Sequence, residues 1–194
     1  NRSKKLVYPL AIFLIVITII QVMFPKVHVS WLCITLLSVL YFIYFNEMWH
    51  QLDGLTGLLS QNSYLNCTLE TIKKDSVLIV FDVDDFKYIN DTYGHLKGDA
   101  CLVEVADCIK KAYSDYGYCY RIGGDEFCVI LNDKEKETEC LNKFTKLLEE
   151  KRAKYEFIPT VSHGSSHISA KGLLEAEDQA DKNMYEFKKK NKLQ

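Results

Sequence analysis

Ser76-Val77-Leu78-Ile79-Val80-Phe81-Asp82-Val83-Asp84-Asp85-Phe86 decides the fold, read together with Tyr118–Leu131 (YCYRIGGDEFCVIL). Val77–Phe81 is a continuous apolar run bounded by Ser76 and Asp82, the pattern of a strand buried on both faces. Tyr118–Ile122 and Glu126–Leu131 are two short strand-like runs joined at Gly123-Gly124-Asp125. A Gly-Gly pair there predicts a hairpin, because glycine accepts positive φ without steric cost. Both places carry carboxylates at strand ends. Acids gathered at a buried strand's end are costly to desolvate unless a cation neutralises them. Oxygen donors without a Cys or His ligand spacing indicate a hard ion, Mg²⁺ or Mn²⁺. The glycines beside Asp125 leave the backbone open to close approach by a phosphate. The residues alone suggest a metal-dependent nucleotide site on adjacent strands, with a solvated acidic turn as the plain alternative.

Outward from these strands the pattern alternates helix and strand. Residues 61–74 form an amphipathic stretch. From 96 to 114, Leu102, Ala106, Ile109 and Tyr113 recur at helical spacing. Residues 134–151 read as a helix and Phe157–Val161 as a strand, followed by a helix with Leu173, Ala176, Ala180, Met184 and Phe187 on one face. This order predicts an α/β domain over 51–194 with a mixed central sheet flanked by helices. Of the chain's charges, residues 53–194 hold 20 basic and 25 acidic, too acidic for a nucleic-acid polymer binder. The 7 cysteines are scattered without a CxxC pair, so buried free thiols are expected rather than disulfides or zinc.

Residues 1–50 differ. Leu6–Phe24 is uncharged, and a second apolar run spans Trp31–Phe45, with Pro25-Lys26 between them and Ser30 as an N-cap. This reads as a transmembrane helical hairpin (helices about 6–24 and 30–49) in the lipid bilayer. Arg2, Lys4 and Lys5 before the first helix place both ends inside, predicting a multi-pass inner (cytoplasmic) membrane protein with its second domain in the cytoplasm.

Gly123-Gly124-Asp125-Glu126-Phe127 is the signature of the GGDEF family, the diguanylate cyclases, and the resemblance runs in register through 53–194. Asp53-Gly54-Leu55-Thr56-Gly57-Leu58 resembles DxLTGL, and Asp82–Asp99 (DVDDFKYINDTYGHLKGD) resembles DIDxFKxINDxxGHxxGD. Thr160-Val161-Ser162-His163-Gly164 is similar to TxSxG, and Ala180–Lys188 (ADKNMYEFK) to ADxxMYxxK. The resemblance implies a palm-like nucleotidyl-cyclase fold and condensation of two GTP into cyclic di-GMP, a bacterial signalling reaction run by a homodimer.

By resemblance, two divalent ions, Mg²⁺ or Mn²⁺, are held by Asp82, the Val83 carbonyl, Asp125 and Glu126. Asp125 is the first choice for the hairpin carboxylate that binds metal and helps activate the 3′-hydroxyl, with Glu126 next, and Lys87 is placed with them in the catalytic set. Asn90 and Asp99 match guanine readers, with His95 between them. Lys87 and the amides of Asp85 and Phe86 match phosphate-side positions, as do Lys188 and Lys192, for which a solvated lysine-rich tail is the plain alternative. Two departures stand out. Ser60-Gln61 replaces the usual Asn-Arg, and Ser114-Asp115-Tyr116-Gly117 replaces the RxxD of the inhibitory product site, so product feedback there is expected to be absent. A catalytically silent GTP-binding scaffold on the same fold is the competing expectation.

Overall fold

The computed structural model describes residues 12–13, 15–16, 19–23, 30–49, 51–67, 72, 76–168 and 172–191. Its contacts divide the chain into two units, Asn1–Trp49 and His50–Gln194. In the first, α1 is Ser30–Trp49. Among the described residues no helix is long and apolar enough to cross a membrane. That overturns the expected transmembrane hairpin, and with it the lipid bilayer as partner and the multi-pass inner-membrane placement. The physical reason is length and polarity. The uncharged core from Trp31 to Phe45 is shorter than the roughly 20 residues a bilayer requires, and it is interrupted by Thr35, Ser38, Tyr41 and Tyr44. Thr35 and Ser38 turn their hydroxyls back onto the Trp31 and Ile34 carbonyls, at 2.9 and 2.8 Å. Part of the expected first span, including 6–11 and 24, lies outside the described residues.

The second unit runs α2 (Gln61–Leu65), β1 (Val77–Val83), α3 (Phe86–Tyr93), α4 (His95–Tyr113), β2 (Gly117–Arg121), β3 (Glu126–Leu131), α5 (Glu137–Lys154), β4 (Val161–His167) and α6 (Leu173–Asn191). A short 3₁₀ turn, Lys134–Lys136, precedes α5. The strands form one sheet in the order β2-β3-β1-β4. Every neighbouring pair in it is antiparallel. The expected mixed sheet is thus corrected. Each strand–helix–strand passage does bring the chain back in its original direction, as the alternation of elements implied. The returning strand, however, lands one place away, with an antiparallel strand between the two, as in split βαβ folds.

β1 is central, and its alternation serves two cores. Val77, Ile79, Phe81 and Val83 meet α4 and α5, where the Phe81 ring lies 5.0 Å from Phe144 and 5.8 Å from Tyr113. Leu78 and Val80 meet Ala176 and Ala180 of α6, with Tyr64 and Tyr120. Burial on both faces is what its unbroken apolar run requires.

β4 differs from the expected strand at Phe157–Val161, beginning where that one ends. Pro159 lacks an amide hydrogen for a ladder, and Phe157 packs against the core from a loop instead. The true strand, VSHGSSH, carries little apolar signal because α6 covers it at close range. A Cβ on Gly164 would lie 2.2 Å from the Ala180 carbonyl oxygen and 2.3 Å from the Met184 nitrogen. Only glycine admits the helix there. Cys101, Cys108, Cys119, Cys128 and Cys140 are buried free thiols. Burial pushes the Cys119 thiol up to about 12.

Candidate functional site

The register of β1 on β3 places Asp82 directly opposite Glu126 and Phe81 opposite Phe127. The two acidic stretches therefore meet at one end of the sheet. The hairpin that carries Glu126 is closed by its own backbone, the amides of Ile122 and Gly123 both donating to the Glu126 carbonyl at 3.0 and 3.3 Å. Neither Gly123 nor Gly124 has positive φ, which corrects the reason expected for the pair. Gly123 is required by contact instead: a Cβ there would stand 2.4 Å from Glu126 Oε2. Burial, then the neighbouring carboxylates of Asp125 and Asp82, raise the pKa of Glu126 above the usual carboxylate range.

Arg121 fixes the hairpin to the loop at 53–58. Its guanidinium donates to Asp53 Oδ1 at 3.0 Å and to the Gly124 carbonyl at 2.7 Å. Asp53 Oδ1 also accepts from the Thr56 amide at 2.9 Å and the Thr56 hydroxyl at 2.6 Å. Burial alone would raise the Asp53 pKa, but the Thr56 bonds and the Arg121 charge outweigh it and hold the carboxyl below its ordinary range. The sequence left Arg121 equally suited to structure or to phosphate; its partners here are structural.

The three acids after Phe81 have three different surroundings. Asp82 is paired with Lys188 of α6. Asp84 is buried, accepting from the hydroxyls of Thr160 and Ser162, each at 2.7 Å, with Lys188 Nζ 3.5 Å away. Sequence reasoning did not single out Asp84. The available signal was the Thr160-x-Ser162 spacing, which on or beside a strand presents both hydroxyls to one side. Asp85 stands at the start of α3 with φ of 52°, a left-handed turn that Asp tolerates better than most residues. That turn sets the first amides of α3 at the end of β1. Burial alone would lower the Lys188 ammonium's pKa, but the carboxylates of Asp82 and Asp84 outweigh it and raise it.

α3 ends at Gly94, whose φ of 83° turns the chain into α4. The turn brings Asn90 against Gly98, so closely that a Cβ on Gly98 would lie 1.9 Å from Asn90 Oδ1. Lys87, His95 and Asp99 are exposed around this junction. Lys192 lies outside the described residues. Among the described residues no three His, Cys, Asp or Glu side chains converge tightly enough to hold a metal ion. Asp82 and Glu126 come together, and the cation on Asp82 is the ammonium of Lys188.

The sequence matches the family described as Diguanylate cyclase, GGDEF domain, over residues 50–194. It is 35% identical over 155 residues to the diguanylate cyclase DgcN of Escherichia coli, covering 70% of this chain and 36% of that protein. It is 34% identical over 146 residues to the diguanylate cyclase DgcS of Shewanella oneidensis, covering 70% of this chain and 49% of that one. The chain thus spans about a third to a half of the length of these curated relatives. Among solved structures, a sensory box/GGDEF family protein from Caulobacter crescentus is similar, with a TM-score of 0.56 and 31% identity, covering 72% of this chain and 99% of that one.

Proposed function

This chain belongs to the GGDEF-domain family of diguanylate cyclases, and from that premise we propose that it condenses two GTP into cyclic di-GMP with release of two pyrophosphates. The observation that supports this most directly is the register opposing Asp82 and Glu126 at the end of β1, where α3 begins. Asp82, the Val83 carbonyl, Asp125 and Glu126 are the groups that would hold Mg²⁺ or Mn²⁺, two per site. The donors fit a hard cation, being all oxygen with a positive charge already seated on Asp82. Bound there, such ions neutralise charge on the triphosphate and lower the pKa of the attacking 3′-hydroxyl.

The chain's own residues supply binding and orientation. The first amides of α3, at Asp85, Phe86 and Lys87, offer donors to phosphate oxygens, and the Lys87 ammonium adds charge. Asn90 and Asp99 read the guanine edge, Asp99 accepting from N1–H and the 2-amino group, with His95 alongside. Lys188 reaches the phosphates from α6. Asp125 and Glu126 hold the acidic side of the site around the hydroxyl. Where the family's RxxD would place its Asp, Gly117 packs so closely that a Cβ would lie 2.4 Å from the Ile130 carbonyl oxygen, which supports the expectation that product feedback there is absent.

One domain holds one GTP, and the product joins two with twofold symmetry, so two copies face each other in a homodimer. The test is purified chain with GTP and Mg²⁺, its products separated by chromatography, with ATP in a parallel reaction. Linear pppGpG and cyclic di-GMP are expected. GTP left intact at high protein concentration would instead mark a silent GTP-binding scaffold.

A further inference from the structure

Lys188 is not a loose side chain that happens to meet an acid. Its helix is fixed to β4 at three points just before it. Gly164 lets the backbone of Ala180 and Met184 approach directly, the Asn183 amide donates to the Ser165 carbonyl at 2.8 Å, and the Phe187 ring lies 4.4 Å from the ring of His163. This delivers the ammonium to Asp82, with Asp84 Oδ1 3.5 Å away. All three side chains are largely covered, with 28%, 18% and 11% exposure for Lys188, Asp82 and Asp84. Asp84 keeps two hydroxyl donors without the lysine. Among the described residues Asp82 accepts from no second side chain, so it is the carboxylate for which a competitor of Lys188 would contend.

We propose that Lys188 is an internal counter-cation that competes with the divalent ion for Asp82, so that the free chain binds metal weakly and a nucleotide triphosphate is needed to draw the lysine away. This rests on Asp82 being a metal ligand, as in the function proposed above. An ammonium and a dication on one carboxylate repel each other, and the triphosphate offers the ammonium another anion. Metal and nucleotide then enter as one complex.

The experiment uses the full chain and Mn²⁺ alone, with no nucleotide, reading bound metal by electron paramagnetic resonance. Lys188→Gln is expected to bind Mn²⁺ about five- to tenfold more tightly than the unaltered chain, the range set by a partly covered ion pair. Lys188→Arg, which keeps the charge, is expected to match the unaltered chain. The gain is expected to vanish when Asp82→Asn is added. Equal affinity in Lys188→Gln and the unaltered chain, or a gain that survives Asp82→Asn, would overturn the proposal. Should Lys188→Gln fail to fold, reductive methylation of the unaltered chain decides: saturating Mn²⁺ is expected to speed modification of Lys188, and an unchanged rate overturns the proposal. Because no nucleotide is present, a chain that makes no cyclic product can still show this competition. A productive chain that lacks it refutes this inference alone.

Discussion

Two glycines that the sequence presents alike are separated by what stands opposite their missing side chains. Opposite Gly98 is the far end of the Asn90 side chain, at 1.9 Å from a built Cβ; opposite Gly164 is the backbone of α6 at 2.2 to 2.8 Å. A side-chain end can rotate away, whereas packed backbone on both sides cannot. Gly98→Ala is therefore expected to leave thermal stability unchanged or slightly raised, since alanine favours a helix by up to about 1 kcal/mol. Its cost falls on Asn90, and on the guanine contact proposed for that residue KM for GTP is expected to rise about tenfold, a loss of about 1–1.5 kcal/mol. Gly164→Ala is expected to lose about 1–3 kcal/mol in urea denaturation through overpacking. At the acids themselves, Asp82→Asn and Glu126→Gln are each expected to cut cyclic product at least about a hundredfold in steady-state assay, with the far-ultraviolet circular dichroism unaltered. A wild-type rate in either would remove that residue from the site.

At the scale of elements, the latch between the loop at 53–58 and the β2–β3 hairpin makes a separate prediction. Asp53 accepts from Thr56 and Arg121, and its folded pKa lies below the ordinary 3.8. A carboxyl with a depressed folded value contributes stability that is whole above its unfolded pKa and lost as pH falls through the folded one. Asp53→Asn is expected to cost about 1–2 kcal/mol at neutral pH, allowing for partial exposure. The gap to the unaltered chain is expected to close as denaturation curves are taken below pH 3.8. A gap constant from pH 7 to pH 3 would assign the latch to packing rather than charge. The elements were legible unequally. β1, β2, β3 and α6 announce themselves because burial wrote long apolar patterns into them. β4 does not, since its residues are chosen for hydroxyl donors to Asp84 and for the close approach of α6. With β4 misplaced, nothing in Val83-Asp84-Asp85 could tell Asp84, the structural acid, from its neighbours. Asp82 and Glu126 were legible because each sits at the end of a strand the pattern had already fixed, although the partner seen on Asp82 is Lys188.

For the molecule as a whole, the proposed function carries a requirement for assembly. Asp82, Glu126, Asn90 and Asp99 all belong to elements at or following the same end of β1; under the function proposed above that is one GTP per chain, with the attacking hydroxyl supplied by a second copy. That requirement can be measured without a structure of the assembly. Unaltered chain is mixed with Asp82→Asn chain at constant total concentration, high enough to saturate pairing. If each chain served alone, cyclic product would fall in proportion to the fraction of unaltered chain. Where both half-reactions need an intact site on facing copies, only pairs of two unaltered chains complete the ring, and the rate follows the square of that fraction. At equal mixing the rate is then expected to be about a quarter of the starting value rather than about half, the statistics of random pairing in a twofold assembly. Mixed pairs retain one working site and are expected to release linear pppGpG, whose share of the product rises as the mutant fraction grows. A linear decline with no build-up of pppGpG would place both reacting nucleotides on a single chain and remove the need for a second.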